Sequence, residues 1–80
     1  MTITIRYFGL MADLIGKSEE SLAPESGVNT IAALQSQLEM RYPQITQARY
    51  SFAVNQSMAN ADTALHHNDE IALLPPFAGG

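Results

Sequence analysis

Apolar and polar positions alternate with period two at the start of the chain, so that Ile3, Ile5 and Tyr7 share one face of an extended segment and Thr4, Arg6 and Phe8 the other. The pattern predicts a strand with one buried face, and Phe8 is its apolar exception on the wet side. The period then changes. Leu10, Met11, Leu14 and Ile15 recur at helical spacing, with Gly16 placed to close a short helix in the left-handed conformation. Residues 18–22 are polar and few, and read as a second strand antiparallel to the first. Pro24-Glu25-Ser26-Gly27 is a turn cluster.

Asn29 or Thr30 can cap the next helix, in which Ile31, Leu34, Leu38 and Tyr42 form a stripe opposite Gln35, Gln37 and Glu39. Pro43 ends it. This is the one long helix, and its stripe is a core face. Phe52-Ala53-Val54-Asn55 alternates again as a third strand, followed by a turn at Asn55-Gln56-Ser57. Residues 58–64 are weakly patterned, with room for one short edge strand. His66-His67-Asn68-Asp69 is a turn before the last strand, Glu70 to Leu74. One main helix and one short extra helix on a mixed sheet of four to five strands is the economical packing of that order, an α+β roll of β-grasp type. Placing the first and last strands side by side in the middle would hide the two most apolar strands. By parity Ile71 and Leu73 then face the helix, and Ala72 and Leu74 face outward with Phe8. Phe8 and Leu74 are thus expected to form an exposed apolar patch beside the chain's end.

That end is unusual. The apolar strand runs directly into Pro75-Pro76-Phe77-Ala78-Gly79-Gly80, where termini without a role more often finish in polar residues. Two prolines cannot donate to a sheet ladder, so the strand should stop at residue 74 and leave residues 75–80 as a projecting tail on a domain of residues 1–74. Fully extended, such a tail reaches about 20 Å. Gly79 and Gly80 lack a Cβ, so a narrow channel can close around their backbone. The working atom would be the carboxyl carbon of Gly80.

Composition narrows the chemistry. Eighty residues make one domain with a modest core and little room for a deep catalytic cavity. The absence of cysteine removes disulfides, thiolate nucleophiles and thiolate metal sites. The net charge of −4 and four dispersed basic residues (Arg6, Lys17, Arg41, Arg49) argue against nucleic-acid binding. Arg6 and Asp13 interrupt the first apolar run and no run reaches membrane-spanning length, so no membrane association and a cytoplasmic location are expected. His66 and His67 with Asp62 and Asp69 carry metal-ligand types, yet adjacent histidines point apart and nothing completes a shell, so no metal is expected. Glu19 and Glu20 are neighbours on a strand and read as a solvated face. No nucleophile–base pair is visible, and the domain is expected not to catalyse alone.

Ala53-Val54-Asn55-Gln56, Asn68-Asp69-Glu70-Ile71-Ala72, Phe8-Gly9 through Gly16 and the terminal Pro75-Pro76-Phe77-Ala78-Gly79-Gly80 resemble the small, sulfur-carrying subunits of molybdopterin synthases, which are ubiquitin-like β-grasp proteins. The resemblance spans the whole chain. It implies that Gly80 is adenylated by an ATP-dependent enzyme akin to ubiquitin activators, converted to a thiocarboxylate by a sulfur donor protein, and inserted through the tail into the large synthase subunit. There, sulfur passes to cyclic pyranopterin monophosphate during molybdenum cofactor synthesis, in a two-plus-two heterotetramer. No cofactor would be bound stably, since ATP is used by the adenylating partner. The resemblance also implies that Phe8, Met58 and Leu74 press against that partner. This chain departs from the family in having Ala12-Asp13 where an Arg-Glu pair is common, and Phe77 where a smaller Val is common. Rival readings are a carrier serving thiamine or tRNA thiolation, a β-grasp protein-binding module without sulfur chemistry, and a modifier joined to lysines.

Overall fold

The computed structural model of the protein describes residues 1–76. Strand β1 (Ile3–Tyr7) buries Ile3, Ile5 and Tyr7 and leaves Arg6 exposed, as the alternation predicts. Helix α1 (Leu10–Ile15) buries Met11 and Ile15 and closes at Gly16, whose φ of 87° lets its N–H reach the Ala12 carbonyl. Strand β2 (Glu19–Leu22) returns antiparallel to β1. Of the two candidate caps for helix α2 (Ile31–Arg41), Thr30 serves: its Oγ1 accepts from the Ala33 N–H at 3.3 Å. Ile31, Leu34 and Leu38 form the buried stripe. Tyr42 precedes a proline and leaves the helical region, which stops α2 at Arg41. A 3-10 helix, Pro43–Gln47, follows; the sequence pattern gave no sign of it, yet it seats Ile45 fully in the core. Strands β3 (Ser51–Val54), β4 (Ser57–Met58) and β5 (Glu70–Leu74) complete the chain. The short edge strand begins one residue earlier than the weak pattern placed it and is two residues long.

The five strands form one mixed sheet in the order β2-β1-β5-β3-β4. The last strand lies in its middle, parallel to β1 and antiparallel to β3. Ile3, Ile5, Phe52, Ile71 and Leu73 face Ile31, Leu34 and Leu38 of α2 across a single core, joined by Ile45 and Leu65. Leu65 is a core residue that the sequence left in a loop, drawn in by the bridge between Thr30 and Ala64. The architecture is the β-grasp.

Two polar arrangements hold the ends of these elements. Asn55 and Gln56 adopt φ of 50° and 71°, the two left-handed positions of a type I′ hairpin between Val54 and Ser57. The Asn55 side chain then clasps the start of β5, donating to Asp69 Oδ1 at 2.9 Å and accepting from the Glu70 N–H at 3.0 Å. Asp69, a buried carboxylate, also accepts from the His66 N–H at 2.7 Å and so closes the turn before β5. These bonds explain why Asp69 sits inside without a metal.

The second arrangement centres on Glu20, and here the structure corrects an expectation. Glu19 is solvated and paired with Arg6, but the Glu20 side chain is only 10% exposed. Its Oε2 accepts from the hydroxyls of Tyr7 at 2.5 Å and Tyr42 at 2.7 Å, and its Oε1 lies 3.6 Å from Lys17 Nζ and 3.7 Å from Arg41. Both cations also lie over the Tyr42 ring. Burial works to raise the Glu20 pKa, but the two hydroxyls and two cations outweigh it and hold the group below its ordinary range. Burial pushes the Tyr7 phenol well above its usual value, and the bond to Glu20 adds to this. Strands β1 and β2 and the end of α2 meet at this one carboxylate.

Glu20→Ala should cost about 2–3 kcal/mol in urea denaturation, because it leaves two part-buried hydroxyls without their acceptor. A carboxylate whose folded pKa is depressed stabilises the fold above its unfolded pKa, and that stability is lost as pH falls through the folded value. Glu20→Gln should therefore flatten the loss of stability below the ordinary value of 4.5, and an unchanged acid limb would contradict this. Gln56→Gly should raise stability by about 0.5–1 kcal/mol, since glycine occupies the left-handed position without a Cβ penalty. Chemical denaturation at neutral pH checks it.

Candidate functional site

The end of β5 is held on both edges. Tyr7 stands opposite Leu73 on the β1 side and Ser51 opposite Leu74 on the β3 side, and the Phe8 N–H donates to the Leu73 carbonyl at 3.2 Å. Pro75 then ends the ladder, half-buried, and Pro76 is exposed. Gly9 makes room for this exit. Its φ of 52° belongs to glycine, and a Cβ built on it would lie 3.1 Å from Pro75 Cγ, so the proline ring rests against bare backbone. The chain therefore leaves the sheet at a fixed place. Phe77, Ala78, Gly79 and Gly80, on which the reading of the tail depends, lie outside the described residues.

Beside this exit the outer face of the sheet is concave. In the register of β3 and β5, Ala53 and Ala72 stand directly opposite each other, and Met58 pairs with Ala53 from the other side. Two small side chains make a floor, and Phe8, Leu74 and Met58 make walls, around a groove of about 260 Å³. Phe8 is 42% exposed and Met58 64% exposed. Arg6, in its 3.8 Å pair with Glu70, borders the groove with Gln56. The three apolar residues singled out in the sequence thus come together on one surface. The alanine floor was missed, because it emerges only when the strand register is known. Gln56 was noted as a turn residue, and nothing in its sequence context marks it as a groove border.

A second depression, about 590 Å³, lies on the other side of the exit, between α2, the 3-10 helix and the start of β3, and includes Pro76 in its lining. Within it the Tyr50 hydroxyl donates to Glu39 Oε2 at 2.5 Å, and Gln35 Nε2 lies 3.2 Å from the same hydroxyl. Burial pushes the Tyr50 phenol up to about 12, with the Glu39 hydrogen bond and charge acting in the same direction. Asp13 is exposed on α1, and Ala12 beside it is half-buried. Among the described residues no group of three His, Cys, Asp or Glu is placed to hold a metal ion, and no helix is long and apolar enough to cross a membrane.

What this arrangement can do chemically is present a strand's end. The described residues offer a fixed exit, an apolar groove on one side and a polar cleft on the other.

Comparison with known proteins agrees with that geometry. The sequence is 31% identical to the molybdopterin synthase sulfur carrier subunit of Mycobacterium tuberculosis, over 98% of this chain and 96% of that protein. The fold is similar to SAMP1 from Haloferax volcanii, with a TM-score of 0.83 at 20% identity and complete coverage of both chains. It is also similar to a chain in the complex of subunits 1 and 2 of the molybdopterin-converting factor from Helicobacter pylori, with a TM-score of 0.71 at 24% identity, again covering both chains fully. The ThiS family matches residues 5–80, nearly the whole length, and the chain belongs to that family.

Proposed function

We propose that this protein is the sulfur-carrying subunit of a molybdopterin synthase, with the carboxyl group of Gly80 as the group that carries sulfur. The observation that supports the reading most is the full-length similarity to a sulfur carrier subunit of that enzyme, joined to a body whose central strand delivers the chain end to one surface. A carboxylate is a poor electrophile at neutral pH. Its oxygen must first become a leaving group, and the described residues contain no phosphate-binding loop or nucleophile–base pair for that work. A partner therefore adenylates Gly80: a carboxylate oxygen attacks the α-phosphorus of ATP and pyrophosphate leaves. A sulfur nucleophile from a donor protein then displaces AMP at the carbonyl carbon, and cleavage of the bond to the donor leaves a thiocarboxylate.

The loaded tail, Pro75 to Gly80, next enters the large synthase subunit and gives its sulfur to cyclic pyranopterin monophosphate. The prolines and the two terminal glycines suit that passage, stiff at the root and slim at the tip. Because the substrate is anionic and this chain carries no basic cluster, the large subunit must supply the charge stabilisation. The pairing of subunits 1 and 2 in the Helicobacter pylori complex supports a large-subunit partner. The groove walled by Phe8, Met58 and Leu74 is the docking face for the adenylating enzyme.

A second reading has support in the fold neighbours, among which is a small archaeal modifier protein from Haloferax volcanii. It begins with the same adenylate and changes the acceptor to a lysine amine. The sulfur carrier relatives favour the first reading, and one experiment separates the two.

Incubated with ATP, the adenylating partner and a sulfur donor, the protein should gain the mass of one oxygen exchanged for sulfur. Deleting Gly80, or adding a residue after it, should abolish that change while far-ultraviolet dichroism stays that of the wild type. Amide adducts in place of the mass shift would instead select the modifier reading. Phe8→Ala and Met58→Asp should each weaken binding of the adenylating partner about tenfold. Both sites are exposed, so the thermal midpoint should hold, and unchanged affinity in both variants would remove the groove from the interface.

A further inference from the structure

The cleft on the opposite side of the exit from the apolar groove has no part in the function described so far. Its position follows from strand direction. Because β3 runs antiparallel to β5 and Ser51 stands opposite Leu74, the residues upstream of Ser51 run alongside the chain as it leaves the sheet. Arg49 and Pro76 accordingly line the same depression. Any protein that encloses the tail must close over this rim.

The charges there are unevenly satisfied. Of the four basic side chains, Arg6 is paired with Glu19 and Glu70, while Lys17 and Arg41 are both paired with Glu20. Arg49 is the one without a carboxylate in ion-pair distance among the described residues, although Glu39 lines the same cleft. Glu39 is turned to other use, accepting from Tyr50 at 2.5 Å and from Gln35 at 3.3 Å. Tyr50 is held in turn by edge-on packing against Phe52, with ring centroids 5.6 Å apart. Arg49 thus extends from a firm support, with its guanidinium donors uncommitted to any described carboxylate. A chain of net charge −4 repels a broadly acidic surface, so what Arg49 suits is a single acidic group.

We propose that this cleft is a second docking point, at which Arg49 receives one acidic side chain of the large synthase subunit beside the mouth of the channel that takes the tail. The inference rests on the sulfur-carrier reading and adds a residue to it. A guanidinium offers two parallel N–H donors to a carboxylate and lysine cannot, so the contact fixes orientation at the tail's root as well as adding affinity.

The test is a titration of the large subunit with the full chain and its Arg49→Glu, Arg49→Lys and Glu39→Gln variants, at low and high salt. Arg49→Glu should weaken binding about tenfold or more at low salt and flatten the salt dependence, with an unchanged thermal midpoint. Arg49→Lys should fall between it and the wild type, and Glu39→Gln should bind as the wild type does. Wild-type affinity in Arg49→Glu, or a loss confined to Glu39→Gln, would overturn the inference and leave the sulfur-carrier reading standing. Failure of the wild-type chain to bind any large subunit would strike that reading itself, and the inference would fall with it.

Discussion

The structure depends on the pairing of β5 along both of its edges. A strand in the middle of a sheet cannot shift without breaking two ladders at once, and a slip of one residue would turn Ile71 and Leu73 out of the core. The end of β5 is therefore the best-fixed place in the molecule from which a chain could leave. Had the tail followed an edge strand, the sheet would transmit fraying to it; following β5, it inherits the position of the core. Pro75 makes the transition abrupt, because it has no N–H with which to continue either ladder.

That placement also explains how the surfaces divide. The core face of β5 carries Ile71 and Leu73, and the outer face carries Ala72 and Leu74, so one strand supplies both the fold's anchor and a groove wall. The groove is concave because alanines meet at its centre in the β3–β5 register, and apolar because Phe8 and Met58 sit where a strand's solvent face normally bears polar groups. The polar clasps lie elsewhere. Asn55 and Asp69 fix the start of β5, and Glu20 ties β2 to Tyr7 and the end of α2. Stability and recognition thus draw on separate side chains, with Arg6 and Glu70 at the boundary between them.

Much of this was legible in the sequence, for identifiable reasons. Period-two alternation marked β1, Gly16 and Pro43 marked where helices end, and parity alone put Phe8 and Leu74 on the outer face. What was not legible depended on contacts distant in the chain. Ile45 and Leu65 carry no periodic signal, since each is a single apolar residue in an irregular segment, and only the closing of the roll buries them. Glu20 read as a solvated carboxylate because its partners Tyr7 and Tyr42 stand 13 and 22 residues away. The Ala53–Ala72 floor required a register that local pattern does not encode.

The same division bears on why the body can be inert and still be specific. A carrier whose chemistry resides in a terminal carboxyl gains nothing from reactive side chains, and the tail's two terminal glycines give a channel little to recognise. Discrimination among partners must then come from surfaces that surround the exit without travelling into the channel. This molecule has two, set at different angles to the departing chain: an apolar groove and a polar cleft. An apolar contact tolerates sliding, since dispersion and burial are non-directional, whereas a guanidinium–carboxylate pair does not. With the first supplying affinity and the second supplying register, a partner would be oriented before the tail is threaded, and the order of events would follow from the geometry of the exit.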